Sequence, residues 1–236
     1  MKICVIGNSH VAVIKAAYDL LPTENMPELT FFADRGSGIE ELVVQDGKLC
    51  AEAGNARLTS ALRFTSGGLA QIDPEAYDRF LIIGLVQGVK RLVQMVEDPF
   101  SQAVRNHALA GFWRERAITK MCEKLREITD KPVSFGLTPL PAAPKVNEIG
   151  PETYEQMVKL SYGLHFSKMG VDVVGQPSET IANRENTEQV FSIGSARLRV
   201  KGAQGVQEHS DEDIYHMNTA YGSLWLENYL GLTQIT

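Results

Sequence analysis

The chain has 236 residues, 44% of them hydrophobic and 22% charged, with a formal net charge of −6 at pH 7. That length suits one α/β domain with a substantial core, and that composition excludes a disordered or fibrous chain. The acidic balance argues against work on a phosphate backbone, and no run approaches the roughly 18 apolar residues of a membrane span, so neither a nucleic-acid nor a membrane partner is expected.

A single domain over residues 1–236 is the default, and with no charged region ahead of a long apolar run at the N-terminus, a cytoplasmic location is expected. Cys4, Cys50 and Cys122 are odd in number and lack CxxC spacing, which excludes a disulfide framework and a structural zinc site. His10, His107, His165, His209 and His216 read as too scattered for a ligand cluster, so no metal is expected.

In chain order, residues 2–6 form an apolar run closed by Gly7, and Val11, Ile14, Ala17, Tyr18 and Leu21 follow at helical spacing up to Pro22. Leu29 to Ala33 read as a second strand, ending in a loop with Asp34, Gly36 and Gly38. Residues 41–51 predict a surface hairpin around Asp46-Gly47. Arg79 to Gly84 is a second apolar run bounded by glycine, as in a strand buried on both faces. A long helix is predicted from about Ser101 to Ile128, a strand over Pro132 to Leu137, a helix over 151–169 and a strand at Val171 to Val174. The polar stretch from about 178 to 212 predicts a long functional loop, and the last helix is expected from near His216 to about Tyr229. Strands alternating with helices imply a parallel sheet with helices on both faces.

Ser9 follows the first strand at the mouth of a helix, where open parallel sheets bind ligands and where helix N–H groups can hold an oxyanion. A serine hydroxyl needs an imidazole to take its proton, and the imidazole needs a carboxylate to fix its tautomer. Asp213 and His216, three residues apart on one late loop, fit those roles and complete the chain order Ser, Asp, His. His10, beside the serine, is a secondary candidate for substrate contact. Each residue also has a plain structural reading: Ser9 and Asp213 as helix caps, His10 as a packed or solvated side chain.

Gly7-Asn8-Ser9 resembles the first block of the SGNH (GDSL-type) hydrolases, and Asp213-x-x-His216 resembles their last. The resemblance implies a flavodoxin-like three-layer α/β/α fold with a doubly wound parallel sheet, ester or acyl chemistry, and no cofactor. It makes Ser9 the nucleophile, His216 the base and Asp213 the supporting acid, and it puts the family's second-block glycine, an oxyanion donor through its amide, at Gly36 or, by preference, Gly38. The substrate it implies is a small acyl ester or an acylated carbohydrate. The chain departs from the family at Asn8, where aspartate is usual, and at Gly84-Leu85-Val86-Gln87-Gly88, where Gly-x-Asn-Asp is usual. Gln87 is then the available side-chain amide. The second departure leaves open a carbohydrate-binding protein of the same fold that has lost turnover. A nucleotide-binding protein is a third alternative, but Ser9 and Ala12 stand where a dinucleotide fingerprint needs glycine.

Overall fold

Strand β1 (Lys2–Gly7) is apolar at successive positions because both its faces are covered: Ile3 and Val5 belong to one core, Cys4 and Ile6 to the other. In this computed structural model, which describes residues 1–22, 24, 26–144, 152–202, 205 and 207–232, α1 (Val11–Tyr18) leads from β1 to β2 (Glu28–Ala33), which pairs parallel to it. The predicted hairpin is β3 (Leu42–Gln45) and β4 (Lys48–Ala51), turned by Asp46 and Gly47 at φ 51° and 73°. Helix α2 (Ala56–Ser66) and the short β5 (Gln71–Ile72) follow; β5 extends the hairpin into an antiparallel sheet of three.

Strand β6 (Arg79–Ile83) pairs parallel with β1 on the side away from β2. Helix α3 (Val89–Glu97) buries Val89, Leu92, Val93 and Val96, one face at 3.6 periodicity. The long helix expected over 101–128 is two: α4 (Gln102–Arg114) and α5 (Ala117–Ile128). Arg116 breaks them in extended backbone, φ −79° and ψ 149°, with its guanidinium 3.9 Å over the Phe112 ring, while Thr119 Oγ1 donates to the Trp113 carbonyl. The chain continues through β7 (Val133–Gly136), β8 (Ala142–Ala143), α6 (Glu152–Leu164) and β9 (Val171–Val174). The first residue of the helix expected over 151–169 lies outside the described residues.

The stretch from 178, expected as loop, contains β10 (Ile181–Asn183) and β11 (Asn186–Glu188), which join β8 in a small sheet held by buried polar bonds: Gln176 Nε2 donates to Thr180 and Thr187 hydroxyls, both at 3.1 Å. The last helix, α7 (Thr219–Leu230), starts three residues later than expected. Asn218 is its cap, its side chain accepting from the Tyr221 N–H, so His216 sits in the loop ahead of the helix.

The main sheet has the order β2-β1-β6-β7-β9 and is parallel throughout. Taken in chain order its five strands run 2-1-3-4-5, a doubly wound arrangement whose switch point lies between β1 and β6. Helices α2 to α6 contribute to the core on one face, α1 and α7 to the core on the other, giving three layers, α/β/α. The outer layer of α1 and α7 is closely packed. A Cβ at Gly222 would stand 2.8 Å from Val13 Cγ2 and nearer still to the Val13 carbonyl oxygen, so only glycine permits this approach. Trp113 and Trp225 are core residues. Among the described residues no helix is long and apolar enough to cross a membrane.

Candidate active site

The switch point puts the loops after β1 and β6 side by side at the C-terminal edge of the sheet. The turn after β1 is closed locally: Asn8 Oδ1 accepts from the His10 N–H at 3.1 Å, and the Asn8 and Ser9 carbonyls accept from Val11 and Ala12. Asn8 packs on Gly84 of the opposing loop, where a Cβ would fall 2.9 Å from Asn8 Cγ. Gly84 and the buried Leu85 that follows it both have positive φ, 78° and 63°. Leu85 is one of two non-glycine residues in that region among those described, and backbone held so unfavourably tends to gather where a site is shaped.

Ser9 Oγ lies 3.0 Å from His216 Nε2, and His216 Nδ1 lies 2.9 Å from Asp213 Oδ2. The tautomer that fits both bonds carries its proton on Nδ1 and leaves Nε2 to accept from the serine. Asp213 is anchored by its other oxygen: Oδ1 accepts from the N–H of Tyr215 at 2.8 Å and of His216 at 3.0 Å. Burial pushes the Asp213 carboxyl up, but these backbone bonds and the His216 ring outweigh it and hold it at about 2. It is a carboxylate at any ordinary pH. Helix α1 adds the positive end of its dipole beside Ser9.

Two further imidazoles join this chain of bonds. His10 stacks with His216 at ring centroids 4.9 Å apart and 17° between planes, and His209 stacks with His216 at 3.9 Å and 10°. His209 Nδ1 also lies 3.0 Å from Asp213 Oδ2. Desolvation first, then the neighbouring His216, lowers His10 to about 3; the same two causes lower His209. Both flanking rings are therefore disposed to stay neutral. The histidines that looked scattered in sequence thus converge, three of the five in one stack.

His209, Asp213 and His216 offer ligand atoms within 4.8 Å of one another, a spacing that a metal ion could use. Such an ion would need the Nδ1 lone pairs of both rings, moving the protons to Nε2. His209 Nε2 is buried and unpartnered among the described residues, so a proton there would be a buried donor without an acceptor. The donor set fits Nδ1 protons shared with a carboxylate better than it fits a metal.

The two expected oxyanion donors lie elsewhere in the hydrogen-bonding pattern. The Gly38 N–H donates to the Arg35 carbonyl at 3.2 Å, and the space a Cβ would take there is filled by Asp34, paired with Arg57. Gly38 is needed for that packing, and its amide is spent inside the loop. Gln87 is exposed on the loop after β6, and no bond links it to Ser9 or His216 among the described residues. The Ser9 N–H, by contrast, is drawn into none of the hydrogen bonds that close its turn. Sequence reasoning missed His209. The signal for it was the run His209, Asp213, His216, with two imidazoles flanking one acid on a short segment.

No family model matches the chain, and no curated protein matches it. Among solved structures, a protein from Streptococcus pneumonia assigned as a platelet activating factor matches at 15% identity and a TM-score of 0.41, over 97% of this chain and 83% of that one. A Salmonella ser. Paratyphi A lipopolysaccharide acetyltransferase periplasmic domain matches at 14% identity and a TM-score of 0.39, over 98% and 82%. Likeness at this level leaves family and activity to the chemistry of the site itself.

Proposed function

We propose that this chain is a serine-dependent hydrolase or O-acyltransferase acting on ester bonds, of the SGNH type, with Ser9 as nucleophile, His216 as general base and Asp213 as the acid that orients it. One observation carries the reading: the hydrogen-bonded series Ser9 Oγ, His216 Nε2, His216 Nδ1, Asp213 Oδ2, formed across 207 residues of sequence at the ligand-binding edge of a parallel sheet.

In this reading Ser9 Oγ adds to the acyl carbonyl carbon while its proton passes to His216 Nε2. The tetrahedral intermediate collapses, the bond to the alcohol oxygen breaks, and the alcohol leaves with that proton. Water or a sugar hydroxyl then attacks the acyl-enzyme, gives its proton to His216, and the restored Ser9 takes it back. The Ser9 N–H at the N-terminal end of α1 serves the oxyanion. With the Gly38 amide engaged and Gln87 exposed, donors are few, and each one missing lowers the rate by about 10²- to 10³-fold. The substrate proposed is a small acyl ester or an acylated carbohydrate, and residues 1–236 are read as one domain with the hairpin as a surface addition. The same scarcity of donors favours a second reading, a carbohydrate-binding protein without turnover.

The test is labelling of the intact protein with a fluorophosphonate, located by mass spectrometry, beside Ser9→Ala and His216→Ala. Labelling at Ser9 that both substitutions abolish is expected. Folded protein that takes no label would favour the binding protein.

A further inference from the structure

His209 has no part in that reaction, yet it makes the closest ring contact in the site. Its backbone is fixed by two arms of one loop: its N–H donates to the Ser195 carbonyl at 2.8 Å, Arg197 N–H donates to the Gln207 carbonyl at 2.7 Å, and Ala196 bridges Glu208. Arg35 clamps the same loop to the end of β2 by donating from Nε and Nη2 to the Leu198 carbonyl, at 3.0 and 2.5 Å. The side chain is only 13% exposed. Among the described residues the hydrogen-bond partner of this ring is Asp213 Oδ2, the oxygen that also serves His216. Its other nitrogen, Nε2, is buried without a partner among the described residues, which suits a bare lone pair and places the ring proton on Nδ1, facing the carboxylate.

We propose that His209 is a positioning residue that shares Asp213 with His216: its Nδ1–H donates to the same carboxylate oxygen and its ring face backs the His216 imidazole. The inference rests on the reading of His216 as the base. Two effects follow from the geometry. First, Asp213 Oδ2 is held from two sides, so the carboxylate does not rotate away from His216 as charge develops there. Second, the negative charge on that oxygen is divided between two donors, so it stabilises a protonated His216 less than it would alone. The groups facing the stack are Ser9 and His10 from the β1 turn, Asp213 from the His216 loop, and Arg35 and Arg197 near His209; both arginines are cationic and disfavour a second positive charge there.

The experiment follows the His216 ring by heteronuclear NMR from pH 4 to 9 in the full chain, together with the pH dependence of fluorophosphonate labelling, for the parent protein, His209→Phe and His209→Asn. His209→Phe keeps a ring against His216 and removes the donor; His209→Asn keeps an amide donor near Nδ1 and removes the ring. The expected result is a His216 midpoint raised by about 0.5–1 unit in His209→Phe, with the acid limb of labelling moving in step, and a midpoint near the parent value in His209→Asn. An unchanged midpoint in His209→Phe, or equal midpoints in the two variants, would overturn the proposal. A shift in ring titration without any labelling of Ser9 would sustain the role of His209 and reject the nucleophile instead. Labelling without the shift would do the reverse. Should one variant fail to fold, the other still separates donor from ring against the parent.

Discussion

Substituting Gly222→Ala tests whether the spacing of two helices sets the working distance of the site. Ser9 precedes α1 by two residues, and His216 precedes α7 by three, so the proposed nucleophile and base ride on helices that touch at Gly222 and Val13. A methyl group there would meet Val13 Cγ2 at 2.8 Å and the Val13 carbonyl carbon at 3.0 Å, and would come closer still to its backbone oxygen. A backbone atom cannot turn aside as a side-chain tip can. Restoring ordinary contact requires the helices to part by about 1 Å, which costs about 1–3 kcal/mol in stability. The same movement stretches a Ser9 to His216 bond of 3.0 Å beyond useful length, and misplacement of about 1 Å lowers turnover on the order of 10²-fold. The assay is kcat/KM on an aryl acetate beside thermal melting, where about 2–4 °C is lost per kcal/mol in a chain of this size. Gly111→Ala in α4 is the control, since nothing lies within 4 Å of a Cβ there, and it should hold or raise Tm with full activity. A Gly222→Ala protein that melts early yet keeps full kcat/KM would refute the link between helix spacing and chemistry. One that melts normally would refute the close packing.

Asp213→Asn should leave the fold intact and lower kcat by roughly 10³- to 10⁴-fold, because an amide no longer fixes the His216 tautomer; kinetics set against the Ser9→Ala background reads this. For acid stability, the signs of His10 and Asp213 agree. His10 falls from its ordinary 6.5 to about 3 in the fold, so below pH 6.5 the unfolded chain takes a proton that the folded one refuses, and stability declines between 6.5 and 3; His209, also lowered, acts in the same direction. Asp213 falls from 3.8 to about 2, so its contribution, on the order of 1–2 kcal/mol, is complete above pH 4 and is lost as pH drops toward 2. Melting temperature against pH should therefore slope downward from 6.5, and His10→Gln should flatten the upper part of that slope. Asn218→Ala removes the α7 cap and two bonds from its Nδ2 to the Val190 and Ile193 carbonyls, at 2.8 and 2.9 Å, and should cost about 1–2 kcal/mol by denaturant titration.

The parallel sheet was readable from β1 and β6, since apolar runs closed by Gly7 and Gly84 have few other uses, and Asp46-Gly47 announced its hairpin. Val89, Leu92, Val93 and Val96 carried α3 just as openly, although no helix was expected over residues 85–100. The split at Arg116 is marked by neither glycine nor proline; its trace in the sequence is a break of phase, since Leu109 and Trp113 fall on a different face of a continuous helix from Ile118, Met121, Cys122 and Leu125. Helix α2 buries little beyond Leu58 and Leu62, so its period is weak. In the site, the order Ser9, Asp213, His216 was legible because residue type and spacing carry it. What the sequence could not show was how hydrogen-bonding capacity is spent: that the Gly38 amide is used up by Arg35, or that a bridge between Ala196 and Glu208 swings His209 onto Asp213.

The five strands of the main sheet are all in place by Val174, whereas α7 and the loop before it supply no strand to that sheet. Ser9 and His216 must close a loop of more than two hundred residues, and contacts of such separation form late in folding because their entropy is repaid only after the nearer ones exist. A chain emerging from the ribosome therefore carries its serine exposed at the end of the first strand while the imidazole that would activate it has not yet been made. On the proposed mechanism, chemical competence is a property of the finished protein alone. Loss of Ser9 labelling during gentle denaturation should accordingly precede loss of the sheet.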